Sequence, residues 1–366
     1  MKKNAHTLMR ILCIGLCLSM VSARCEDKKS DNGSLLPLLL SDGSSTGEGI
    51  IELPKTGQDA GNSIITGDDG NLQIGAAWPD PRFTDNGDGT MTDNLTGLMW
   101  EQSPSTSTMD WAGAFSHISG LDTGEHHDWR LPNRNELASL IHRGIYNNSA
   151  AWFPDQGFTG IQFAYYWTSN TKPSDTTRAL ALYLGYCGGY IFSDAKTNDT
   201  RYVIACRGTS ENIPRTGQTE SYATGDDGDL ESGVAWPDPR FTDNDDGTMT
   251  DNLMGLMWEQ IPGTDDLTFS EAIAAADTKE VGGHHDWRVP NINELSTLLN
   301  TGVPSIATWL NTSYGFSVQE SAYWSSTIAG LSNDYALCIW SLDSDTVSVS
   351  GDITVSLKLI AVRDAE

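Results

Sequence analysis

The feature that most restricts what this chain can fold into is that it is written twice. AWPDPRFTDN at 77 returns at 235, GLMWEQ at 97 returns at 255, and GEHHDWRLPNRNEL at 124 returns as GGHHDWRVPNINEL at 282. KTGQ at 55, TGDDG at 66 and YYWTSN at 165 return as RTGQ at 215, TGDDG at 224 and AYWSST at 322. The offset of about 158 residues is domain-sized, far beyond the period of a solenoid. The 366 residues therefore divide into two modules of one fold, each long enough for its own core.

TDNGDGTMTDN at 84 and TDNDDGTMTDN at 242 raise the question of calcium. An EF-hand loop counted from Asp85 puts Gly87 and Gly89 at positions 3 and 5 and Thr96 at position 12, so the ligand spacing fails. The pairs Asp88-Gly89 and Asp246-Gly247, flanked by alternating residues, instead predict a tight hairpin, with an irregular cation site as the alternative.

A helix is expected where Trp111, Ala114, Phe115 and Ile118 share a face, and where Phe269, Ala272, Ile273 and Ala276 do so behind the capping pair Thr268 and Glu271. A second helix starts at Asn133 with Glu136 three residues on, and again at Asn291 with Glu294. YYWTS, ALALYL and YVIACR, matched by AYWSS, YALCIW and LKLIAVR, read as strands. The fold class is therefore α+β, two tandem modules with mainly antiparallel sheet and two helices each. Residues 76–209 and 234–366 are the modules, and 26–75 and 210–233, without apolar periodicity, read as tether and linkers.

Lys2, Lys3 and Arg10 lead into the apolar run Ile11 to Val21, so residues 1–25 read as an export signal. Cleavage after Val21-Ser22-Ala23 and lipidation at Cys25 are both open, and an anchor at Cys25 is the only membrane contact expected. In an oxidising compartment Cys187 and Cys206 are spaced for a disulfide between returning strands, with a free buried thiol as the alternative. A formal charge of −27 disfavours nucleic acid as a partner, because phosphate binding needs a basic footprint.

The densest polar constellation is His126, His127, Asp128, Trp129, Arg130, Asn133 and Glu136, repeated from His284 through Asp286, Trp287, Arg288 and Asn291 to Glu294. It could serve as a ligand surface or a general-base site. The reading that fits best is structural: Arg130 pairs with a carboxylate and Glu136 caps a helix. No nucleophile stands at a recognised spacing, so no catalytic residue, cofactor or metal is assigned. Trp100 and Trp258 are expected in the cores, while Trp167 and Trp324 are candidate sugar platforms.

The ordered motifs RFTDNGDGTMTDNLTGLMWEQ, DWRLPNRNELASLI and YYWTS, closed by a strand ending at Arg207, resemble the C-terminal domain family of the Legionella collagen-like adhesin. The resemblance covers residues 76–209 and 234–366. It implies an exported bacterial surface protein, not an enzyme, binding a glycan or extracellular protein, with a structural envelope lipoprotein as the alternative. That adhesin binds sulfated glycosaminoglycans, which by analogy points to Arg130, Arg134, Arg143 and Arg178 as sulfate contacts in the first module. WRLPNRNELASLI is also similar to the helix start of formylglycine-generating-enzyme domains, which implies a C-type-lectin-like fold without that enzyme's paired catalytic cysteines.

Overall fold

The computed structural model describes residues 50–145, 149–185, 189–329, 334–339 and 346–365. Cys25, the export segment and Cys187 lie outside the described residues.

The acidic repeat is a hairpin. Phe83–Asp85 (β1) pairs antiparallel with Thr90–Asp93 (β2). Asp85 Oδ1 accepts from the Gly87 amide at 2.8 Å, and Asp88 Oδ1 accepts from the Thr90 amide at 3.1 Å and hydroxyl at 2.6 Å. Gly87 and Gly89 take φ of 77° and 88°, where a side chain would be strained. The carboxylates thus serve their own turn. Met99–Glu101 (β3) continues the meander, and Cys206–Arg207 (β7) closes it on β3. Trp100 on β3 is fully buried.

Both expected helices form. Trp111–Ile118 (α2) buries Trp111, Ala114 and Ile118 and is capped by Asp110. Arg134–Ser139 (α3) carries the full Asn133–Glu136 capping box, and Leu137, Leu140 and Ile141 are buried at its inner end. A third helix, Ser149–Asp155 (α4), corrects the expectation of two per module. Preceding them all is the one-turn helix Asp69–Leu72 (α1), inside a segment read as linker.

The second module repeats the plan. Its one-turn helix is Asp227–Leu230 (α5), followed by strands Phe241–Asp243 (β8), Thr248–Asp251 (β9) and Leu256–Glu259 (β10). Helices Phe269–Asp277 (α6), Ile292–Ser296 (α7) and Ile306–Tyr314 (α8) come next, and Val362–Asp364 (β14) pairs with β10.

What joins the modules is a shared sheet. Tyr165–Thr171 (β4), Arg178–Tyr183 (β5) and Ile191–Ala195 (β6) form an antiparallel set, as do Tyr323–Ile328 (β11), Tyr335–Ile339 (β12) and Thr346–Asp352 (β13). Antiparallel pairing of β13 with β6 fuses them into one sheet of order β11-β12-β13-β6-β5-β4.

The two presumed linkers are the second joint. The segment before the first module docks on the second. Ile51 donates to the Leu253 carbonyl (2.9 Å), Asn293 Nδ2 to Pro54 (2.9 Å), and Gln58 exchanges two bonds with the Ile328 backbone (2.7 and 3.1 Å). The segment before the second module docks on the first: Asn135 Nδ2 donates to Pro214 (2.9 Å), Asn133 Nδ2 to Ser232 (3.0 Å), and the Thr171 amide to Gln218 Oε1 (3.0 Å). Residues 50–75 and 210–233 are therefore built into the body, and Ile50–Glu366 forms a single compact unit.

Candidate functional site

The repeated polar constellation folds into a knot at the start of α3. Arg130 meets Glu136 through two bonds of 2.6 Å, and Glu136 also accepts the Asn133 amide at 2.9 Å. Arg130 exchanges backbone bonds with Cys206, locking the strand before the helix to β7. Arg288, Glu294 and Asn291 repeat the knot. Glu136 and Glu294 are buried, so these groups hold the fold together rather than face a ligand. Trp129 and Trp287 pack beside them, also buried. On the outer side His127, Asp128, His285 and Asp286 are exposed. Asp128 is held below the usual carboxylate range by its hydrogen bond to Arg207, as Asp286 is by Arg363.

The residues expected to touch ligand sit elsewhere than expected. Trp167 and Trp324 are fully buried, their indole nitrogens donating to the carbonyls of Met109 and Leu267, so neither offers a face to a sugar. Both occupy inward positions of strands covered by helices, which the aromatic run YYW does not reveal. Arg134 and Arg143 are also buried and cannot form a surface sulfate contact. Arg178 is half-buried and donates to Ser193 on the neighbouring strand. Arg130 is spent on Glu136. Cys206 carries a free, buried thiol, the alternative that its spacing from Cys187 left open, and Cys187 lies outside the described residues.

An open groove of about 290 Å³ lies instead between the 210–233 segment and the second module. Its wall is aromatic: Trp236 and Trp309 stand 5.7 Å apart, and Tyr314 meets Trp309 edge-on at 5.3 Å. All three are half-buried. The Trp236 indole donates to the Arg215 carbonyl (3.0 Å), and the Arg240 guanidinium stacks 4.7 Å from its ring, so the indole is fixed in place. Arg215 and Glu231, paired at 2.6 Å and about one-third exposed, are the accessible polar groups of the lining, to which Gln218 and Asn300 contribute buried side chains. Aromatic faces beside a few fixed polar groups suit a sugar ring, whose C–H face stacks while its hydroxyls bond. In the first module the counterpart of Asn300 is His142, whose ring sits edge-on to Trp78 (4.7 Å) and Trp152 (5.3 Å). Burial, aided by the Arg82 charge, pushes His142 down to about 4, so at neutral pH it is an uncharged ring packed on the tryptophans.

Trp236 lies in the repeated AWPDP motif, but Trp309 sits on the unexpected α8, so sequence reasoning missed the groove. Ser305 as a cap and Gly315 in a left-handed conformation mark that helix and were the usable signals. Among the described residues no group of three or more His, Cys, Asp or Glu side chains is placed to hold a metal ion.

These features define a duplicated α+β protein with a buried ionic knot in each copy and an aromatic-walled groove beside one. The model of the Lcl C-terminal domain family matches residues 89–207 and 247–363, and the chain belongs to that family, in two copies. No curated protein matches the chain. No helix among the described residues is long and apolar enough to cross a membrane.

Proposed function

We propose that the protein is an exported, non-enzymatic binding protein of the adhesin type whose second module takes a glycan in the Trp236–Trp309–Tyr314 groove. The observation that carries this reading is that groove, with the fixed Trp236 indole, the half-buried Trp309 and Tyr314 beside it, and the accessible polar pair Arg215 and Glu231. A C-type-lectin-like fold for each module fits the helix-start resemblance, and membership of the family fits a surface role. Export through residues 1–25, with Cys25 as the anchor, puts the groove outside the cell. The strongly acidic surface argues for a neutral or basic ligand, glycan or extracellular protein, over a polyanion.

The experiment is a glycan-array screen of the full chain beside Trp309→Ala and Arg215→Ala. An aromatic anchor contributes about 1–2 kcal/mol, so Trp309→Ala should weaken binding about tenfold or more. Binding that survives Trp309→Ala unchanged moves the ligand away from the groove. A blank array, repeated with matrix proteins, shifts the weight to a structural envelope role. Metabolic palmitate labelling that persists in Cys25→Ser would remove the proposed anchor.

A further inference from the structure

A second cavity, of about 90 Å³, lies where the modules meet and is walled by Leu53, Ile141, Ile191 and Ile213 together with Arg134 and Arg143. Arg134 is 1% exposed and Arg143 6%. Arg134 spends one nitrogen on the Ser296 carbonyl across the module boundary, at 3.1 Å. Its Nε and Nη1, and Nη1 of Arg143, are buried without any hydrogen-bond partner. The carboxylates nearest in charge are committed elsewhere. Asp227 accepts from Asn170 (2.7 Å) and from Thr216, and Asp69 from Thr56 (2.6 Å) and Thr327 (2.8 Å).

A buried guanidinium left unpaired is among the costliest arrangements a protein can hold. The fold does not require it here, because the second module places Ile292 and Thr301 at the equivalent positions. The two arginines are thus an addition to the first module that its own structure leaves unsatisfied.

We propose that this cavity binds a small oxyanion, a sulfate, phosphate or carboxylate group, held by Arg134 and Arg143 at the junction of the modules. The planar guanidinium fork matches the paired oxygens of such a group, and the apolar walls strengthen the attraction by excluding water. Burial of both guanidiniums, which draws each down to about 10, is the cost that a bound anion offsets. The site is independent of the glycan groove: its residues are different, and it survives if the groove binds nothing.

The test is a thermal-shift titration of the full chain at pH 7 with sodium sulfate, sodium phosphate or sodium acetate, each against sodium chloride at matched ionic strength. A saturable rise in Tm of about 3–6 °C is expected at a hundredfold excess over Kd. Sulfate or phosphate acting ahead of acetate identifies a tetrahedral ligand, and the reverse order a carboxylate; either supports the site. Replacing both arginines by the second module's residues, Arg134→Ile with Arg143→Thr, should abolish the response. Should that pair fail to fold, Arg143→Thr alone gives up no hydrogen bond of the Arg143 guanidinium, and crystals of the native chain soaked in selenate should show an anomalous peak between the arginines. A shift that grows linearly with any salt, that persists in the folded variant, or, where sulfate or phosphate leads, that leaves the cavity without a selenate peak overturns the proposal.

Discussion

Glu136 and Asp128 lie eight residues apart in a motif that both modules carry, yet their surroundings assign them different weights. Glu136 is buried with two bonds to Arg130 and one to the Asn133 amide, so Glu136→Ala strands a charge and should cost about 3–5 kcal/mol in urea denaturation. Asp128 is 62% exposed against Arg207, and Asp128→Ala should cost less than about 1 kcal/mol. Equal losses would show that the knot is not the anchor. A second prediction concerns pH. Burial raises Asp69 and Asp227 to about 6, above an unfolded value near 3.9. Between about pH 4 and 6 the folded chain therefore binds more protons at these groups than the unfolded chain, and their contribution to stability is lost as pH rises through that window. His142, at about 4 when folded against about 6.5 unfolded, acts in the opposite sense, one group against Asp69, Asp227 and Glu101, the last raised by burial to about 7. Replacing Asp227 by Asn should remove up to about 1.4 kcal/mol per pH unit from the slope between pH 4 and 6. A profile parallel to the native one shows that Asp227 does not titrate there. At this scale the sequence was legible for local features: the capping boxes span three residues and need no tertiary knowledge, while the carboxylate expected beside Arg130 is identified by the structure as the cap residue Glu136. Arg134 and Arg143 were misplaced because a charged side chain gives no sign of burial when what covers it comes from the other module.

Among elements, the segments 50–75 and 210–233 show why absence of apolar periodicity misleads. They bury polar groups: Thr56, Gln58, Asp68 and Asp69 in one, Thr216, Gln218, Asp226 and Asp227 in the other. Their partners, such as Ile328 for Gln58, lie 270 residues away, so a local reading sees only a polar linker. The hairpins and capped helices were legible because their causes are local. The shared sheet was not, since the pairing of β13 with β6 depends on where two distant edges meet. Hydrogen exchange checks the reassignment. The amides of Ile51, Lys55 and Arg215, bonded to the carbonyls of Leu253, Ala76 and Val234, should exchange as slowly as those of β4 and β11, by orders of magnitude slower than a tether. Exchange at free-peptide rates in 50–75 would return that stretch to the status of a linker.

For the molecule as a whole, the duplication predicts two folding units and the structure predicts one. Three connections bind the halves. The six-stranded sheet crosses from one to the other, each polar segment is bonded to the opposite module, and one hydrophobic cluster contains Trp100, Leu137 and Ile191 with Trp258, Leu295 and Leu337. Neither half can unfold without exposing apolar surface and unpaired backbone groups of the other, which makes partial unfolding costly. Scanning calorimetry should therefore show a single transition with calorimetric and van't Hoff enthalpies in agreement, although domains of this size, tethered as beads, would melt separately. Mutual support also bears on binding. A groove beside the second module and an anion cavity at the junction are held at fixed geometry, so a ligand in either raises the same transition instead of splitting it. Two resolved transitions, one of them shifted by ligand alone, would mean that the modules are coupled only in name, and that the groove works as an independent head.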